Sequence, residues 1–260
     1  MEILANRLLW SVVFVFILLL VTKGLGTFAR ETKAIFSMRK TACRIIAAAI
    51  LIAFNWGIFI WAVEAGMILE TSMGNFIAPL MSVFFGMVFL GERLNKLQVI
   101  AVICAAIGIS VVIIHNGSLP WVSVGLAVTF ASYGLLKKII VAQALTSILI
   151  ETLIISPVAA GYLYYLSVSG GNAYETADLT TILFLMGTGV VTATPLLCFT
   201  ACAKRVPLYL VGFMQYIIPC LSLMIGVLIY REPFTMTHAL SFGFIWLGLA
   251  FFTWSQIKRI

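Results

Sequence analysis

The chain has 260 residues, of which 63% are hydrophobic and 10% charged, and its mean hydropathy is +1.15. A water-soluble domain, which is about half apolar and about a quarter charged, is excluded. The net charge of +7 does not indicate a nucleic-acid partner, because the chain has neither a basic helix face with interleaved aromatics nor a polar domain to carry one.

Crossing the hydrocarbon of a bilayer takes about 20 apolar residues in a helix. Nine segments meet or approach that length, at 8–22, 44–63, 67–90, 97–114, 120–136, 144–167, 180–203, 207–230 and 237–256. The fold class expected is therefore an all-α integral membrane protein. In the first and shortest span, Arg7 and Lys23 extend the apolar run by snorkelling to the headgroups. No small-residue cleavage site follows it and the next stretch is basic, so it reads as a retained helix and not as a signal peptide. Cys43, Cys104, Cys198, Cys202 and Cys220 lie in or beside apolar runs without metal or disulfide spacing, and are expected to be small core residues.

Nine spans place alternate connections on opposite sides. One side then carries Lys23, Arg30, Lys33, Arg39, Lys40, Arg44, Arg93, Lys96, Lys137, Lys138, Lys204, Arg205, Lys258 and Arg259, and the other only Arg7 and Arg231. By the positive-inside rule the basic side is cytoplasmic, which puts the C-terminus inside and Met1 outside, in a bacterial cytoplasmic membrane.

The third and eighth spans are related by a gapless offset of 140 residues. Asn75, Phe76, Ile77, Pro79, Ser82, Gly86 and Glu92 align with Gln215, Tyr216, Ile217, Pro219, Ser222, Gly226 and Glu232, and Gly108 aligns with Gly248. Shared leucines would mean little, but proline, glycine and glutamate are costly inside a span. An offset of five helices inverts the second copy relative to the first, as in many secondary transporters. The expected organisation is a first repeat at 1–119 with four spans and a second at 120–260 with five, so the first copy lacks its leading helix.

These features resemble the drug/metabolite transporter superfamily and, within it, the EamA family. The similarity is greatest to the chloramphenicol-sensitivity (RarD-type) permeases. It is carried by Asn55-Trp56 through Trp61-Ala62, Leu69-Glu70, Pro79-Leu80 through Phe89-Leu90-Gly91-Glu92-Arg93, and Gly117-Ser118-Leu119-Pro120. It continues in Tyr133-Gly134-Leu135, Ile150-Glu151-Thr152, Pro195-Leu196-Leu197-Cys198-Phe199 and Gln215-Tyr216-Ile217, and runs from Glu2 to about Trp246. The resemblance implies two inverted five-helix halves and a permease, with export of drugs or metabolites as the family-level activity, and it names no solute. The chain departs from the pattern where the family's first helix would stand.

A solute site is expected near mid-membrane, where Pro79 and Pro219 free the carbonyls of Asn75 and Gln215. Asn55, Thr192 and Thr194 beside Pro195 lie at similar depth, and Trp56, Trp61, Tyr133 and Tyr216 are candidate aromatic walls. Hydrogen bonding between helices is the alternative role for each of these polar groups. Glu70 and Glu151 are the acids well inside spans and hence the candidates for proton coupling, against an interface role for Glu70 and a structural hydrogen bond for Glu151. Glu92 and Glu232 are expected to cap the helices that follow them. His115 and His238 have no ligand spacing.

No cofactor is expected. The partners expected are the lipid bilayer, a small solute and, through the two acids, protons. One aspartate, two distant histidines and no H-E-x-x-H, G-x-S-x-G or phosphate-binding loop argue against an intramembrane enzyme and against ATP hydrolysis. A fixed channel fits inverted repeats less well than alternating access, and a truncated or non-transporting membrane partner is the main alternative.

Overall fold

The computed structural model describes residues 2–117, 121–169, 174, 178–228 and 236–258. Regular structure among them is helical, as hydrocarbon demands, because only a helix or a closed barrel satisfies every backbone N–H and C=O without water. The helices are α1 (Glu2–Val21), α2 (Leu25–Ser37), α3 (Arg39–Glu64), α4 (Ile68–Leu90), α5 (Lys96–Asn116), α6 (Trp121–Ile139) and α7 (Ala144–Val168). They continue as α8 (Leu179–Arg205), α9 (Leu208–Gln215), α10 (Ile217–Leu228) and α11 (Met236–Ile257). Nine stretches of these described residues are long and apolar enough to cross a membrane, α9 and the start of α10 forming one of them.

Two features differ from the sequence expectation. The basic connection after the first span contains α2, a helix too short to cross. Thr27, Phe28, Glu31, Thr32 and Ile35 turn inward at helical spacing, while Leu25, Phe36, Arg30 and Lys33 are exposed, the pattern of a helix lying along a surface. Mean hydropathy over a long window does not register it. The second difference concerns the prolines: α4 and α8 run uninterrupted through Pro79 and Pro195. Only near Pro219 does the helix break, at Tyr216, whose N–H turns back to the Phe213 and Met214 carbonyls. Neighbouring helices let a membrane helix bend at proline without losing its continuity.

The chain divides into two compact units. Unit 1 is Met1–Trp61 with Leu136–Arg205, and unit 2 is Ala62–Leu135 with Val206–Ile260. Neither unit follows the boundary expected at 119/120, since each takes segments from both sides of it.

In unit 1, α1 packs on α7 and α8. Ala5, Leu8 and Ala159 are buried together, with Trp56 and Ile155 against them. Ser11 ties α1 to α8 by donating to the Gly189 carbonyl at 3.2 Å. Asp178 opens α8, accepting from Thr181 N at 3.0 Å and Thr181 Oγ1 at 2.6 Å, and these bonds hold its carboxyl below the usual carboxylate range.

In unit 2, α5 packs on α11 and α4 on α9. A Cβ on Gly108 would stand 2.7 Å from the Ser241 carbonyl oxygen, and one on Gly248 would stand 2.8 Å from that of Ala101. The contact is reciprocal, for Ala101 and Ser241 are separated by the same offset as the two glycines, and α5 and α11 cross antiparallel. The core here joins Val83, Ala101, Ala105, Tyr209, Phe213, Tyr216, Ile245 and Phe252. Asn95 and Gln98 form a reciprocal capping box at the start of α5, and Asn95 Nδ2 donates to Ser255 Oγ of α11 at 2.6 Å.

Candidate functional site

The expected site residues divide between the units. Asn55, Trp56, Trp61, Glu151, Thr192, Thr194 and Pro195 belong to unit 1, and Glu70, Asn75, Pro79, Tyr133, Gln215, Tyr216 and Pro219 to unit 2.

Unit 1 holds a cation inside a span. Arg7, in the second turn of α1, donates from Nε to Thr192 Oγ1 at 2.8 Å, and its guanidinium carbon lies 5.6 Å from the centre of the Trp56 ring. Thr192 is midway along α8, so Arg7 leans toward the middle of that helix and does not snorkel to the near headgroups. No carboxylate pairs with Arg7 among the described residues. Trp56, expected as a wall for solute, is half-buried beneath this cation, and cation–π attraction strengthens where water is excluded. Asn55 and Thr192 are buried, whereas Trp61 and Thr194 are exposed on their helices.

The second charged feature of unit 1 is an ion pair. Lys137 Nζ lies 2.6 Å from Glu151 Oε1 and 2.6 Å from Ser147 Oγ, which itself donates to the same carboxylate oxygen at 2.9 Å. Lys137 ends α6 and Glu151 sits two turns into α7, so the short connection between these helices folds the two charges together. The sequence exposes Glu151 as an acid in a span, but Lys137 reads only as one of a pair of loop cations. Close by, Lys204 donates to the Ala142 carbonyl, and the Gln143 N–H is held by the Glu31 carboxylate at 3.1 Å.

In unit 2 the acids serve helix ends. Glu70 accepts from Val122 N at 3.3 Å, and its carbonyl accepts from Ser123 Oγ at 2.5 Å, so it anchors the first turn of α6. Glu92 accepts from Leu208 N at 2.7 Å and Tyr209 N at 2.9 Å. It therefore caps α9, a helix distant in sequence, and not the following helix, whose start Asn95 already occupies. Two unpaired amides at a helix start attract a carboxylate more strongly than a start already capped. Glu232 lies outside the described residues.

Asn75 is exposed on α4 and, with Pro219, lines a cavity of about 270 Å³ formed by α4, α5, α10 and α11. Ser72, Ser222, His238 and Ser241 also border it. Ser222 is marked in the sequence only as the counterpart of Ser82, and nothing there marks Ser72 or Ser241, because the packing partners come from four helices. Tyr133 is fully buried, its ring 6.3 Å from that of Phe130. Gln215 Nε2 and Tyr216 OH are buried with no hydrogen-bond partner among the described residues.

Residues 1–114 match the EamA-like transporter family. The uncharacterized transporter YojE of Bacillus subtilis is 41% identical over 99% of this chain and 86% of its own length. Protein RarD of Escherichia coli is 40% identical over 98% of this chain and 85% of its own, and the chloramphenicol-sensitive protein RarD of Pseudomonas aeruginosa is 31% identical over 100% and 86%. A protein crystal structure superposes with a TM-score of 0.69 over 96% of this chain and 86% of the other, at 14% identity, which is a likeness of fold. On these relationships the chain belongs to the EamA-like transporter family, in its RarD-type branch, and is a multi-pass membrane transporter.

Proposed function

We infer that the chain is a secondary carrier that moves a small drug-like or metabolite solute out of the cytoplasm by alternating access, with its C-terminus inside. The observation that carries this reading is the composition of the two units: each is internally packed and takes equivalent helices from both repeats. Alternating access needs two such bodies, which a fixed pore does not. The candidate solute contacts are Asn55 and Thr192 in unit 1 and Asn75 and Gln215 in unit 2, and Glu151 is the proton-coupling candidate, its charge balanced by Lys137. The fourteen-to-two distribution of basic residues supports the orientation.

The test is a screen of drug-like and metabolite solutes with the purified full chain in proteoliposomes, with and without an imposed pH gradient. A carrier gives saturable counterflow that an inward proton gradient accelerates. Linear, unsaturable flux would identify a pore, and absence of flux across the whole panel would overturn the transport reading.

A further inference from the structure

The offset of 140 residues holds in unit 2 at the crossing of α5 and α11, and it shows where the two ends of the unit differ. Gly212 of α9 lies against α4: a Cβ there would meet Pro79 O at 2.7 Å, Val83 Cγ2 at 3.0 Å and Ser82 Cβ at 3.3 Å. The equivalents of those four residues are Ser72, Pro219, Leu223 and Ser222, and all four border the 270 Å³ cavity. One end of the unit is therefore closed and its counterpart is open.

The difference is written in the side chains. At the closed end Phe213 and Phe252 stack with ring centroids 3.9 Å apart. Their equivalents at the open end are Met73 and Val112, which both line the cavity, so the space stands where neither of the two stacked rings is present. The open end gains two hydroxyls, because Ser72 stands where the closed end has Gly212 and Ser241 where it has Ala101. The Ser241 side chain is fully buried and its Oγ has no hydrogen-bond partner among the described residues, although a buried hydroxyl ordinarily finds one.

We propose that this cavity binds an uncharged small molecule that carries a ring together with an amide or hydroxyl group. Phe76 and Phe242, edge to face at 5.2 Å, supply a wall for the ring. Asn75 and the serine hydroxyls supply both donors and acceptors. Among the described residues no lysine, arginine or carboxylate lines the space and His238 is its one ionisable side chain, so a charged ligand would find no countercharge among them. The proposal names a solute class for the carrier inferred above and takes its functional meaning from that reading, while the binding itself is measured without transport.

The probes are benzamide, benzylammonium and benzoate, which share a ring and differ in charge, observed by saturation-transfer NMR with the purified full chain in neutral detergent. Val112→Phe and Met73→Phe each add bulk of the kind the closed end accommodates, and either is expected to abolish the benzamide signal. Ser241→Ala adds no bulk, and is expected to weaken benzamide about tenfold, the value of one hydrogen bond of ordinary strength. The two ions are expected to give no signal that depends on Val112. The proposal is overturned if benzamide binds the three variants as it binds the parent chain, or if either ion shows the same dependence on Val112. Benzamide binding that depends on the cavity, in a chain inert in vesicles, would retain the site and remove the carrier reading; flux without such binding would do the reverse.

Discussion

Lys137 and Glu151 face each other at 2.6 Å with side chains 0% and 2% exposed, so each charge in this part of unit 1 is balanced chiefly by the other. Removing one partner of a buried pair strands a charge and costs about 3–5 kcal/mol, whereas replacing both with apolar residues of similar volume is often neutral. Lys137→Met and Glu151→Leu are thus expected to lower the thermal midpoint of the detergent-solubilised protein sharply, and the double variant to recover most of the loss. Additive losses would mean that the two residues act separately.

Glu151→Gln keeps the shape of the side chain and removes its charge. If Glu151 carries the coupling proton, this variant retains solute counterflow and loses acceleration by a pH gradient. An unchanged response to the gradient would assign coupling elsewhere and leave the pair a purely structural role.

The spans were legible because a bilayer imposes one length and one polarity on every crossing segment, so hydropathy alone located each of the nine, with the start of the first span six residues late and all other ends within five. The offset of 140 residues stands out in the sequence because Pro79, Gly86, Gly108 and Glu92 are expensive where they stand and recur at it. What the sequence hid depends on partners far along the chain. Arg7 reads as a snorkelling cation until Thr192 is brought to it, Lys137 reads as a loop charge until α7 folds back, and Glu92 reads as the cap of its neighbour until α9 arrives with two free amides. Helix α2 was missed for another reason, since its surface-seeking pattern averages away in a window long enough to find spans.

Arg7 and Thr192 are joined by one charge-assisted hydrogen bond. A double-mutant cycle with Arg7→Gln and Thr192→Val, read by SDS-induced unfolding in mixed micelles, is expected to give a coupling of about 1–2 kcal/mol. Arg7→Lys is expected to lose most of that coupling while keeping the charge, because a lysine has no Nε fork to place on the threonine while its head stays over Trp56. Zero coupling would return Arg7 to a headgroup role.

Gly86 and Glu92 are linked by space. A Cβ on Gly86 would stand 2.5 Å from Glu92 Oε2, so Gly86→Ala is expected to push the carboxylate off the start of α9. Glu92→Ala removes the same cap directly, at a cost of about 1–2 kcal/mol. Once the carboxylate is gone the methyl group meets less obstruction, and alanine is the better helix former by about 1 kcal/mol. Gly86→Ala should therefore destabilise the parent chain and be neutral or stabilising in the Glu92→Ala background, a change of sign that unfolding titrations of the four proteins would reveal. The same sign in both backgrounds would show that Gly86 is needed for helix contact and not for the cap.

The crossing of α5 and α11 yields the sharpest symmetric expectation. Gly108 and Gly248 each face a carbonyl oxygen of the opposite helix at under 3 Å from a virtual Cβ, and backbone cannot give way as a side-chain tip can. Alanine at either position must move the helices apart, at about 1–3 kcal/mol for overpacking. Because both glycines belong to one crossing, separation forced by the first substitution relieves the second, and the double variant should cost well under the sum. Unfolding titrations of the two single variants and the double would check this: equal single losses with strong non-additivity are expected, while unequal losses or full additivity would show that the two contacts do not behave as one reciprocal joint.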